Sequence, residues 1–274
     1  MHLGDQGVVT EEAMEAKLRL FFFLGLLGAL LLWEQFAPRR GWSLPKWRHR
    51  SLNLEIALLN VLLTRFLLGL TLFTVGEFGA LKGLGILHWV KAPVWINFIV
   101  GVLILDLAVW FQHWLLHRIS FLWPLHRVHH TDLDFDATTG LRFHPLEILL
   151  STFYKAGVVL LFGIGPWPAL VFEISLNAFS LFTHANGRLS ASFERILRKI
   201  FVTPDMHRIH HSIDEVEYNR NFGFCFSFWD KIFLTYRSEP ALPHERMEIG
   251  ISGFRDAGRL GFFRLIIQPF QKSS

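Results

Sequence analysis

The chain has 274 residues, 51% of them hydrophobic and 18% charged, with a mean hydropathy of +0.34 and a formal net charge of +4. So little charge does not cover a soluble domain, and the composition excludes disorder, collagen and coiled coil, so an all-α integral membrane helical bundle is expected. The single cysteine, Cys225, excludes an intrachain disulfide and any CxxC metal site, and the basic excess reads as cytoplasmic loops, with no nucleic acid as partner.

The first apolar segment covers residues 18–36, about 28 Å of helix and enough to cross the hydrocarbon core. Acidic residues before it (Glu11, Glu12, Glu15) and bulky ones after it argue for a retained anchor rather than a cleaved signal. The second segment covers 54–75 and carries Arg65 near its middle, where a cation is costly in lipid and is expected to meet an ion pair or a carbonyl inside the bundle. The third runs from 94 to 110 and continues as helix through His117, with Pro93 suited to its first turn. The fourth and fifth, 146–162 and 169–183, are joined by the breaker Gly163-Ile-Gly-Pro-Trp-Pro168 and fit either two spans or a re-entrant hairpin. The expectation is one domain over 1–274 with about four to five membrane segments. Its tail, 239–274, contains Gly261-Phe-Phe-Arg-Leu-Ile-Ile-Gln, which fits an interfacial amphipathic helix.

Lys and Arg set the expected orientation. The loop 38–50 holds Arg39, Arg40, Lys46, Arg48 and Arg50; Arg118, Arg127 and Arg142 follow the third segment; Arg188, Arg195, Arg198 and Lys199 follow the fifth. The loop between segments two and three has only Lys82 and Lys91. The N-terminus is therefore expected outside, and the C-terminus and a histidine-rich helical cap, which holds the histidine clusters, in the cytoplasm.

Nine histidines form four clusters on that face. His113 and His117 are one turn apart on one helix face. His126, His129 and His130 share a face at i, i+3 and i+4, and Pro124 lets their helix fold back beside the first. His184 stands at the exit of segment five. His207, His210 and His211 repeat the i, i+3, i+4 spacing behind Thr203-Pro204-Asp205, which reads as a helix N-cap. Nine imidazoles are too many for one tetrahedral zinc, and two six-coordinate ions with open positions need roughly this number. Ligands beside the membrane surface put a reactive centre within reach of a lipid chain. HExxH, GxSxG, P-loop and GxGxxG patterns are absent. The competing classes are a membrane metal transporter or metal-binding protein, which needs ionisable residues through the spans where only Arg65 and Asp106 lie, and a bis-histidine haem carrier, which needs single facing pairs.

These clusters resemble the fatty acid hydroxylase/sterol desaturase superfamily of histidine-box membrane oxygenases. The resemblance covers about 90–236. Arg142-Phe-His-Pro-Leu-Glu147, Thr183-His-Ala-Asn186, Thr203-Pro-Asp-Met-His-Arg-Ile-His-His-Ser212, Asn221-Phe-Gly223 and Phe228-Trp-Asp-Lys-Ile-Phe-Leu-Thr-Tyr236 support it. Arg188 stands where some fatty acid hydroxylases carry a further histidine, which leans toward the sterol desaturase branch. The resemblance implies a non-haem centre of two Fe ions with the nine histidines as ligands. It implies O2 as co-substrate, a lipid substrate (sterol, fatty acyl or related) to be hydroxylated or desaturated, and electrons from a separate cytochrome b5-like or ferredoxin-like donor. Three further residues are candidates behind the ligands. Asp106, about 20° from His113 on the same helix, could fix an imidazole tautomer. His144 is either a tenth ligand or the start of a helix with Pro145 at its first position. Asn221, with Asp230, could orient ligands.

Overall fold

A computed structural model describes residues 4–69, 71–90, 92–256 and 261–271. Lys91 and the side chains of Glu11, Glu12 and Glu15 lie outside the described residues. The described chain is helical, with isolated bridges and no strand among those residues. In order the helices are α1 (Gly4–Phe36), α2 (Lys46–Leu62), α3 (Leu72–Lys82), α4 (Ile86–Trp89), α5 (Val94–Arg118), α6 (Trp123–His130), α7 (Pro145–Phe162), α8 (Pro166–His184), α9 (Ala191–Leu197), α10 (Pro204–His210), α11 (Glu215–Tyr218), α12 (Phe228–Ile232) and α13 (Phe262–Ile267). Three helical stretches are long and apolar enough to cross a membrane: Lys17–Phe36 of α1, Val94–Arg118 and Pro145–Phe162. Phe21, Leu32, Val94, Trp95, Phe153 and Leu161 on them are exposed, as lipid-facing side chains should be.

The second expected segment is not one straight span. α2 passes into a π-helical stretch, Leu63–Leu68, which ends at Gly69 in the left-handed region (φ 58°). A new helix then starts behind Thr71, whose hydroxyl accepts from Thr74 N while the Thr74 hydroxyl accepts from Thr71 N. Leucine and phenylalanine continue on both sides of this junction, so mean hydropathy alone could not show it. α7 and α8 form the expected helical pair, turned by Gly163 at φ 71°. α3 packs on both, and Leu72, Val75, Leu105, Val109, Val159, Ala169 and Phe172 make the core between α3, α5, α7 and α8.

Beneath this bundle sits a cap. Leu52 and Ile56 of α2, Val128 of α6 and Leu265 of α13 are buried together. Burying each of these side chains is worth roughly 1.5–3 kcal/mol. The tail is thus held against the cap through Leu265, while Phe263 and Phe270 remain exposed. Gln268 ties it further, its carbonyl accepting from Arg127 and its side chain from the Thr131 hydroxyl.

Candidate metal centre

Four helices bring the nine clustered histidines to one place. His113 and His117 close the last turns of α5; Ile119–Leu122 reverses the chain, and Pro124 in the first turn of α6 directs His126, His129 and His130 back onto them. α8 ends on His184. Thr203 caps α10 through its hydroxyl, which accepts from Met206 N, as the sequence indicated, and α10 supplies His207 and His210, with His211 next.

The imidazoles fall into two groups whose ligand atoms lie within 4.8 Å of one another: His113, His117, His126, His130 and His210 in the first, His129, His184, His207 and His211 in the second. The motifs interleave. The i and i+4 residues of α6 join the first group and its i+3 residue the second, while His207 and His211 join the second and His210 the first. The groups touch, with His130 stacked on His211 at 4.5 Å between ring centres.

The nitrogen chemistry fits metal ions. His184 Nδ1 donates to Ser180 O at 2.7 Å, so its Nε2 carries a lone pair. Nε2 atoms of His129, His207 and His211 converge on that one atom at 3.1, 3.0 and 3.1 Å. One lone pair accepts one N–H, so the convergence is unfavourable without a cation among the four. In the first group, His113 Nδ1 donates to Phe222 O, His126 Nδ1 to Glu147 Oε1 and His210 Nδ1 to Arg220 O, each at 2.7 Å. The Nε2 atoms of all three, and both ring nitrogens of His117 and His130, are buried with no hydrogen-bond partner among the described residues. Burial, then crowding by other imidazoles, pushes His129, His130, His207, His210 and His211 well below the ordinary imidazole value. They are neutral at pH 7, the state a metal needs.

The three candidates behind the ligands make no direct contact with a clustered imidazole. The hydrogen bonds of the Asp106 carboxylate come from Trp229 Nε1 and Phe226 N, so it anchors the 225–229 segment rather than an imidazole. His144 does not join the nine. Its Nδ1 accepts from Leu146 N, capping α7, and its Nε2 lies 3.0 Å from Ile266 O in the tail. Asn221 sits in the left-handed region (φ 55°), its side chain bonded to Met206 O, Arg237 O and Arg237 N. Asp230 accepts from Trp110 Nε1, Phe222 N, Gly223 N and the Thr235 hydroxyl. Together Asn221 and Asp230 fix the loop whose carbonyls hold His113 and His210.

Glu147 was missed as a partner of His126, although it stands in the HPLE segment quoted above. Also missed was a buried hub behind α6, in which Asp132 accepts from His49, Asn53 and Thr139, and Arg142 donates to Val128 O. Burial alone would raise Asp132, but His49 and Arg142 hold its carboxyl below the usual carboxylate range. Burial alone would lower His49, but Asp132, Asp136 and Asp134 raise it to about 9.

A cavity of about 480 Å³ opens between α1, α2, α5, α7 and α8, and His113 and His126 stand in its wall with Phe143, Leu116 and Phe224.

A family model described as fatty acid hydroxylase matches residues 98–235, half of the chain and all nine clustered histidines. The chain belongs to the fatty acid hydroxylase family. Ornithine lipid hydroxylase OlsE of Rhizobium tropici is 29% identical over 182 residues, covering 66% of this chain and 52% of that protein. Alkylglycerol monooxygenase of Homo sapiens is 27% identical over 158 residues, 56% of this chain and 33% of that protein. Cholesterol 25-hydroxylase of Rattus norvegicus is 25% identical over 169 residues, 57% and 55% respectively. The chain thus spans a third to about half the length of these fatty acid hydroxylase relatives. No solved structure gives a significant match.

Proposed function

We propose that this protein is a membrane-bound non-haem di-iron oxygenase that hydroxylates a lipid. One observation carries the reading: two adjacent groups of imidazoles, five and four in number, with their free ring nitrogens buried, stand beside a largely apolar cavity. The nine histidines are the proposed ligands. Iron bound there supplies reductive activation of O2. The net reaction takes a C–H bond, O2, two electrons and two protons to a C–OH bond and water, the electrons coming from a separate cytochrome b5-like or ferredoxin-like donor.

The chain's own groups do the rest. Glu147 and the carbonyls of Phe222, Ser180 and Arg220 keep the protons on Nδ1 and turn Nε2 inward. Phe143, stacked on His129 at 4.4 Å, and Leu116 line the approach and exclude water from it. The relatives named above are hydroxylases and monooxygenases, which favours hydroxylation over desaturation and does not favour the transporter alternative. The basic loop 38–50 lies against the cap, Arg39 on Asp205 and Arg40 on Met247 O, which supports a cytoplasmic face for the histidines.

The test is metal content and product. Detergent-purified protein should hold about two iron ions per chain, and membranes supplied with O2 and reductant should form a hydroxylated lipid that His129→Ala does not form. One metal or none in monodisperse protein, or unchanged product in that variant, would overturn the assignment.

A further inference from the structure

The end of the cavity away from the imidazoles is cationic. α7 runs along the wall from Glu147, bonded to His126, through Ser151 to Lys155, eight residues or about 12 Å further on. The other walls repeat that direction. α2 and its π-helical extension pass from Asn60, which donates to Phe143 O, to Arg65. α1 passes from Phe23, packed near the cap, to Arg19. Three cations from three helices therefore share one end of the cavity.

The acids do not balance them. Glu173 pairs with Arg19 and also accepts from Leu72 N. Glu147 is committed to His126 at the opposite end. Glu173 also faces Lys155, so this one acid stands against three cations, and among the described residues neither Arg65 nor Lys155 is hydrogen-bonded to it or to another protein group; the ion pair expected for Arg65 is not formed among them. Arg65 is exposed and Lys155 half-buried, so both are open to a group of opposite charge that enters this end of the cavity, and the excess of cations over acids favours one. The π-helical stretch sets Arg65 in this wall at the point where the α-helical register of α2 ends.

We infer that this end of the cavity binds the anionic headgroup of the lipid substrate, a carboxylate or phosphate, through Arg65 and Lys155, with Arg19 beside them. The assignment rests on the lipid-hydroxylase reading of the site. It lays the hydrocarbon chain along the apolar wall toward His113 and His126, so the carbon presented for oxidation lies on the chain, on the order of 10 Å from the headgroup.

The test is displacement of fluorescent dansylundecanoate from the full-length protein in nanodiscs of neutral phosphatidylcholine, without turnover. Dodecanoate and dodecyl phosphate should displace the probe at about tenfold or more lower concentration than methyl dodecanoate. The stronger of the two anions tells a carboxylate headgroup from a phosphate. The double variant Arg65→Gln/Lys155→Gln should lose the preference at unchanged bound-metal content, and Lys155→Arg should keep it. Equal displacement by the methyl ester, or a preference that survives the double variant, overturns the inference. If the double variant loses metal, the wild-type comparison of acid, phosphate and ester decides alone. The two readings fail separately. A neutral lipid hydroxylated with no anion preference leaves the hydroxylase and removes the headgroup site. An intact anion preference with no product from any lipid removes the hydroxylase.

Discussion

Glu147 does for His126 what backbone carbonyls do for His113, His184 and His210: each accepts from the Nδ1–H and leaves Nε2 to the proposed metal. Partners of this kind are worth about 10–100-fold in metal affinity, and Glu147 is the one that mutation can remove. Glu147→Ala is expected to weaken iron binding by about that factor while the helix remains, and iron titration against a competing chelator measures it. The ligand spacing was legible in the sequence because i, i+3 and i+4 on a helix converge by geometry alone. The carbonyl partners were not, because Phe222 reaches His113 across 109 residues through a loop held by Asp230 and Asn221. Asn221 carried a weak signal, being a residue type that tolerates the left-handed backbone found there.

At the level of elements, the turn Ala137–Leu141 presses against α8 where His184 is held. A Cβ on Gly140 would lie 2.3 Å from Ser180 O, the acceptor of His184 Nδ1. Gly140→Ala must displace the turn or the end of α8, and overpacking of this kind costs about 1–3 kcal/mol. The expected result is a lower melting temperature together with less bound iron, both read from one purified sample. The hub behind α6 makes a pH prediction. His49 is raised from 6.5 to about 9, so its contribution to stability is fully present below pH 6.5 and is lost as pH rises through about 9. Wild-type protein should lose melting temperature across that window, and His49→Gln should lose less. α5, α7 and α8 were legible from apolar length and their Pro and Gly boundaries. The division of the second segment was not, since the π-helical stretch and the Thr71 cap replace one apolar helix by two without changing hydropathy.

For the whole molecule, the proposed metal centre would add a link between bundle and cap to those already made by Trp110 with Asp230 and Asp106 with Trp229, tying α5 and α8 of the bundle to α6 and α10 of the cap. Ions that bind the folded state stabilise it by mass action. Stripping iron with a chelator is therefore expected to lower the melting temperature and to speed proteolysis of the cap relative to the bundle, both reversed on adding iron back. The cap was expected as a histidine-rich helical layer, but not that the tail closes it, because Leu265 and Gln268 find partners more than 130 residues away.

The interleaved assignment of α6 and α10 has a consequence for loading. Filling either group pulls on both helices, and so orders three of the residues that the other group needs. The first ion should thus raise affinity for the second, and a single-site titration curve should not describe the protein. Sigmoidal uptake with a Hill coefficient approaching about 2 is expected, half-loaded molecules being scarce at every iron concentration.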